Sequence, residues 1–141
     1  MVPHLRAALT IQLHNYMAKR VLVSGGAGFI GSHVTVELIQ SGYDVVVADD
    51  MSNCDMTCFE GVKKITGRED IPFVKMDFCD AAAVNKLFSD YRIDAVIHFA
   101  AFKAVGESVA DPLKYYVNNL DSFLNILTVS REKGCNVLFS S

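Results

Sequence analysis

The sequence has no tryptophan and only 3 prolines among its 141 residues. No apolar run approaches the ~20 residues that a bilayer-spanning helix needs, so the sequence predicts no such segment. No basic tract or stripe appears either. The 13 Lys and Arg are outnumbered by 16 Asp and Glu, for a net charge of −3. That balance argues against a protein held on nucleic acid by phosphate neutralisation. Cysteine is sparse: Cys54, Cys58, Cys79 and Cys135 have neither CxxC spacing nor the density of a disulfide-stapled secreted scaffold. They read as small buried hydrophobes in a reducing, cytoplasmic setting. No cluster of His, Cys and carboxylates has metal-ligand spacing, and there is no internal repeat. What is present is a chain that is 51% apolar and 21% charged. At this size one domain can bury roughly 68–70% of its unfolded surface, so a disordered or collagen-like chain is excluded.

Residues 1–17 differ from the rest. Arg6 is their only charged side chain, and Pro3, His4, His14 and Asn15 interrupt any period. Leu5–Leu13 has the composition of a weak targeting segment but only one arginine and no cleavage pattern after it. The preferred reading is a disordered or upstream-encoded extension, with Met17 an alternative initiator and residues 18–141 the folded domain.

From Lys19 onward strands and helices alternate. Lys19–Val23, Asp44–Ala48, Ile71–Met76, Ile93–Phe99 and Val137–Phe139 read as apolar strands, with Pro72 placing the third at an edge or its start. Between them lie helices over Phe29–Ser41, with Ile30, Val34, Leu38 and Ile39 on one face, and over 55–66. Two more follow, over Ala81–Phe88 capped by Asp80 and over Leu113–Arg131 ended by Gly134. Strands that are apolar throughout, separated by helices, predict an α/β fold with a doubly wound parallel sheet. Right-handed crossovers favour the order 3-2-1-4-5, with a crevice where strands 1 and 4 diverge. The loops at 24–31 and 99–108 then face one site.

The strongest chemical signal is Gly25-Gly26-Ala27-Gly28-Phe29-Ile30-Gly31. It follows a strand, opens a helix, and is answered by Asp49 at the end of the next strand, which is the context a dinucleotide site requires. Gly25 permits the tight turn, Gly28 lets the backbone approach a pyrophosphate, and Gly31 lets helix and sheet pack closely. Free amides at the helix N-terminus stabilise the phosphates. Asp49 accepts from ribose hydroxyls and repels a 2′-phosphate, so NAD is favoured over NADP. Asp50 adds a second negative charge but reads alone as a solvated loop residue. Asp77, ending the third strand, either binds the adenine amine or caps the next helix. Asp80 is the better cap, which favours the ligand role. His98 reads as a core histidine.

Taken together, Ser24–His33, Asp49–Asn53, Met76–Asp80 and His98–Val109 resemble the extended short-chain dehydrogenase/reductase superfamily, and within it the UDP-glucose 4-epimerase family. The resemblance covers essentially all of 18–141. Its most particular stretch is His98-Phe99-Ala100-Ala101-Phe102-Lys103-Ala104-Val105-Gly106-Glu107-Ser108-Val109, followed by Asp111–Tyr116 and Asn118-Asn119. The resemblance implies that Phe29 and Ile30 lie under the pyrophosphate. Asp49, Asp50, Met51, Ser52 and Asn53 form the ribose loop, with Asp49 and Asn53 its chief contacts. Asp77 and Phe78 meet the adenine. Phe99, Ala100, Ala101 and Lys103 flank the pyrophosphate and nicotinamide ribose, and Asn118 reaches the same loop. From periodicity alone, Lys103 and Asn118 would read as surface residues.

The resemblance also implies catalytic groups that this chain lacks. Tyr115 and Tyr116 are followed four residues on by Asn119 and Leu120, so neither makes a Tyr-x-x-x-Lys pair. That pair and a catalytic Ser or Thr are expected beyond Ser141, itself read as the neighbour preceding that Ser or Thr, and the sugar-nucleotide region with them. The expectation is an NAD-dependent interconversion of UDP-glucose and UDP-galactose by transient oxidation at C4 in the full-length protein, with this stretch inactive alone. A UDP-sugar substrate and a homodimer built through the long helix are implied likewise. The rivals are a UDP-glucuronate 4-epimerase or sugar-nucleotide 4,6-dehydratase, and a non-catalytic dinucleotide-binding module.

Overall fold

A computed structural model describes residues 19–140. The expected extension over 1–17, the alternative initiator Met17 and the reading of Ser141 lie outside the described residues. Five strands, β1 (Arg20–Ser24), β2 (Asp44–Asp49), β3 (Phe73–Lys75), β4 (Ala95–His98) and β5 (Asn136–Phe139), form one sheet in the order β3-β2-β1-β4-β5. All pairings are parallel. The helices are α1 (Phe29–Gln40), α2 (Thr57–Thr66), α3 (Ala81–Asp90), α4 (Val105–Ala110) and α5 (Pro112–Lys133).

The period-two geometry of the strands splits their side chains between two cores. Leu22, Val46, Ala48 and Val96 pack with Val84, Leu87 and Phe88 of α3 and Ile126 and Val129 of α5. Val21, Val23, Val45 and Val47 face the other way, onto Phe59 and Val62 of α2, with Val36, Leu38 and Ile39 of α1 beside them. Both faces are therefore covered, and the apolar character of every central strand position follows. Local chemistry sets several boundaries. The Asp80 side chain accepts from the amides of Ala82 and Ala83, capping α3, and Asp111 accepts from Lys114 to cap α5. Gly134 stops α5 in the left-handed conformation (φ 71°), where an L side chain would be strained.

Three expectations need correction. Strand β3 is shorter than 71–76 because Pro72 has no amide to give; its carbonyl instead accepts from Val47 at 2.9 Å. The inward face of α1 is only partly the predicted apolar one, since Leu38 and Ile39 pack against the core but share that role with small residues of the first turns. Gly31, Ser32 and Thr35 are buried, while Ile30 is 49% exposed. At Gly31 the helix presses so close to the preceding loop that a Cβ would lie 2.3 Å from the carbonyl oxygen of Gly25, so no side chain fits at that position. The cysteines are free but only half-buried, not buried as read. Helix α4 was not predicted from the sequence: it buries no residue, and Val105 and Val109 are exposed, so it carries no amphipathic pattern.

His98 at the end of β4 is a core histidine, as read. It is fully buried, its Nδ1 lies 2.5 Å from Ser24 Oγ, and its ring stacks near Phe123 and Phe139. Its Nε2 has no partner among the described residues. Burial, with a smaller contribution from the charge of Lys103, pushes the imidazole from 6.5 to about 4. The unfolded ring takes up a proton near 6.5 and the folded ring only near 4, so this contribution to stability is complete above pH 6.5 and is lost as pH falls toward 4. The urea midpoint is expected to drop across that window. His98→Leu, despite a lower baseline from the unpaired Ser24, should flatten the slope there; an unchanged slope would refute the assignment.

Candidate functional site

The sheet reverses its winding between β1 and β4, and the carboxyl ends of β1, β2 and β4 open there onto one cleft. Its floor is the turn between β1 and α1. Gly25 has φ 72°, and a Cβ added to it would lie 2.7 Å from Ala100 N and 2.9 Å from Phe99 C. A Cβ on Gly31 would lie 2.3 Å from the carbonyl oxygen of Gly25. The glycines thus let three stretches of main chain (the turn, the start of α1 and the segment after β4) meet without side chains between them.

Helix α1 begins at this floor without a cap. Gly28 offers no side-chain hydrogen bond, and no acidic residue occupies the first turn. By contrast α3 and α5 are capped by Asp80 and Asp111. The first amides of a 12-residue helix, carrying the positive end of its dipole, are left for something outside the helix.

Opposite stands Asp49, 7% exposed at the tip of β2. One carboxylate oxygen accepts from the amide of Ala27 at 3.0 Å, tying β2 to the glycine turn. The other accepts from the amide of Met51 at 2.9 Å and from the thiol of Cys54 at 3.5 Å. No Lys or Arg among the described residues pairs with it. The Cys54 thiol is pushed up to about 12 by burial and by the charge of Asp49, so it stays protonated and donating.

Sixteen of the seventeen predicted site residues line this cleft: Gly25, Gly28, Phe29, Ile30, Gly31, Asp49, Asp50, Ser52, Asn53, Asp77, Phe78, Phe99, Ala100, Ala101, Lys103 and Asn118. Met51 does not. It sits at φ 65° and serves the loop by donating its amide to Asp49. Asp50 spends one oxygen on the amide and hydroxyl of Ser52, at 2.8 and 2.7 Å. Asp77 accepts from the amide of Cys79 at 2.8 Å and does not cap α3. The Phe78 ring is buried in the core beside the cleft. Sequence reasoning missed Cys54, Phe102 and Ser122, which also line it; nothing local to them distinguishes them from loop or helix residues. Among the described residues no group of side chains could hold a metal ion, and no helix is long and apolar enough to cross a membrane.

A glycine turn and an acidic strand tip meeting at the reversal of a five-stranded parallel sheet define a Rossmann-type nucleotide-binding architecture. The chain belongs to the GDP-mannose 4,6 dehydratase family, which matches residues 22–141. It is 47% identical over 128 residues to "UDP-glucose 4-epimerase 2" of Arabidopsis thaliana, covering 89% of this chain and 37% of the relative. It is 49% identical over 122 residues to the UDP-glucose 4-epimerase of Bacillus subtilis, covering 86% and 36%. The structure superimposes with a TM-score of 0.83 and 44% identity on the crystal structure of UDP-glucose 4-epimerase from Bifidobacterium longum in complex with NAD+ and UDP, covering 87% of this chain and 37% of that one. The chain spans little more than a third of the length of these relatives.

Gly25 and Gly134 share nearly the same φ, 72° and 71°, but a Cβ on Gly134 meets nothing within 4 Å. Gly134→Ala is therefore expected to cost about 1–2 kcal/mol, the left-handed backbone penalty alone. Gly25→Ala should cost about 1–3 kcal/mol more, from forcing apart two main chains. Urea denaturation of both variants checks this, and equal losses would mean that the contact yields freely.

Proposed function

We propose that residues 18–141 are the NAD-holding domain of a UDP-glucose 4-epimerase, an enzyme that interconverts UDP-glucose and UDP-galactose. The observation that carries the reading is the uncapped start of α1 facing, across the cleft at the sheet's reversal, a buried Asp49 that no cation among the described residues pairs. These groups fit a dinucleotide: the amides of α1 hold the pyrophosphate, and Gly25, Gly28 and Gly31 allow it close approach. Asp49, oriented by the donors already on it, accepts from the adenosine ribose and repels a 2′-phosphate, so NAD is preferred to NADP. Asn53 supports the same ribose, Asp77 and Phe78 flank the adenine, and Lys103 and Asn118 bring polar groups to the far end. Bound NAD+ supplies reversible hydride acceptance at C4 of the sugar. The chain contains no Tyr-x-x-x-Lys pair to move the proton of the sugar hydroxyl, so its own role is to bind and orient the coenzyme.

The relatives named above as epimerases support that activity over the dehydratase reading, while the family description keeps a sugar-nucleotide 4,6-dehydratase as the second reading. The exposed stripe of Leu113, Tyr116, Val117, Leu120 and Leu124 along α5 supports a homodimer formed through that helix. Sedimentation of the wild type and of Leu120→Glu tests this: a dimer split by the charge is expected, and a monomeric wild type would refute it.

Calorimetric titration should show NAD binding at least tenfold tighter than NADP. Asp49→Asn should weaken NAD about tenfold and narrow that gap, equivalent to about 1.4 kcal/mol. At a hundredfold excess over Kd, NAD should stabilise the fold by about 2.7 kcal/mol. The same preparation, given UDP-galactose and NAD, should form no UDP-glucose. Failure to bind NAD would overturn the proposal in favour of a non-catalytic interaction module, and measurable turnover would overturn the assigned division of labour.

A further inference from the structure

The segment between β4 and α4, residues 99–104, has no regular structure, yet it is fastened on two sides. On one side its main chain at Phe99 and Ala100 lies against Gly25. On the other, a single side chain takes both main-chain polar groups of Phe102. Asn119 Oδ1 accepts from the Phe102 amide at 2.8 Å, and Asn119 Nδ2 donates to the Phe102 carbonyl at 3.1 Å. The amide of Asn119 thus does for Phe102 what a neighbouring strand would do, from 17 residues away along the chain. Asn118 Nδ2 donates to Asn119 Oδ1 at 3.0 Å, which fixes which end of that amide faces which group.

Further contacts from the first turns of α5 act on the same segment. Lys114 Nζ lies 5.1 Å over the Phe102 ring, and the Tyr115 ring is 5.6 Å from it. The Ala104 amide donates to the Tyr115 hydroxyl at 3.2 Å, and that hydroxyl donates to Glu107 at 2.8 Å. Phe102 and Ala104 are therefore both held by α5, and Lys103 between them is exposed and borders the cleft. Asn119 itself does not line the cleft.

We infer that Asn119 is a positioning residue that holds Lys103 and the main chain of 99–102 at the coenzyme cleft by clamping Phe102. This rests on the NAD-binding reading of the cleft. Lys has four flexible bonds and is otherwise free to swing, so the clamp fixes the root from which it reaches an anionic ligand. The clamp follows β4, two strands across the sheet from Asp49 at the tip of β2, so a ligand confined to the adenosine half should sense it little.

The test compares calorimetric affinities for NAD and AMP in the wild type, Asn119→Ala, Lys103→Ala and the double variant. Asn119→Ala is expected to weaken NAD about tenfold and leave AMP within twofold. In the Lys103→Ala background the same change should cost less than threefold, because two residues acting through one contact are not additive. If Asn119→Ala does not fold, as judged by its melting curve, Asn119→Asp is the substitute. It keeps the acceptor for the Phe102 amide and sets an oxygen against the Phe102 carbonyl, so the same selective loss is expected. Equal losses for NAD and AMP, or full additivity with Lys103→Ala, would make Asn119 merely structural and overturn the inference. So would unchanged NAD affinity in a folded variant. A wild type that binds AMP and NAD equally well would also overturn it while leaving nucleotide binding in the cleft intact; a wild type that binds neither overturns the NAD reading itself.

Discussion

The whole site depends on a main-chain contact that side chains would prevent. Gly25 brings the turn after β1 within touching distance of Ala100, and Gly31 brings the start of α1 onto the carbonyl of Gly25. Protein interiors are packed too densely for such approaches to be absorbed elsewhere, so the residues there must be glycine. Once the three segments meet, the amides opening α1, the tip of β2 and the loop after β4 share one cleft. The rest of the fold, with its two apolar layers on either side of the sheet, keeps those three ends in register.

Electrostatics follow from the same geometry. The helix that opens at the cleft is left uncapped where α3 and α5 carry aspartate caps. The carboxylate across from it is buried and, among the described residues, satisfied by main-chain amides and a thiol, not by a cation. The cleft therefore offers a positive pole at one wall and a fixed acceptor at another before any ligand arrives. Such preorganisation reduces what binding must spend on ordering.

Much of this was legible from the residues because the determining chemistry is local. A strand followed by the glycine turn, the acid one strand later, Asp80 before α3 and Gly134 after α5 each act within a few positions of themselves. The apolar runs identified the strands because both faces of the sheet are covered. What was not legible depends on contacts between distant elements. Helix α4 buries nothing, so no periodicity announces it. The inner face of α1 combines Gly31, Ser32 and Thr35 with the predicted Leu38 and Ile39, so apolar pattern reading found its later turns and missed its start. Asn119 reads as a helix-surface amide until the fold brings Phe102 against it. Met51, included for its place in the ribose loop, turns out to contribute its amide and not its side chain to the cleft's edge.

The bond from the Ala27 amide to Asp49 has a consequence for anyone redesigning this cleft. The residue proposed to read the coenzyme is also a tether for the turn proposed to receive its phosphates, so the two properties are not independent dials. Exchanging the acid for a small neutral residue and adding an arginine nearby, the obvious recipe for admitting a phosphorylated ribose, also unties the turn. A successful retuning has to supply that amide with a new acceptor at the same time.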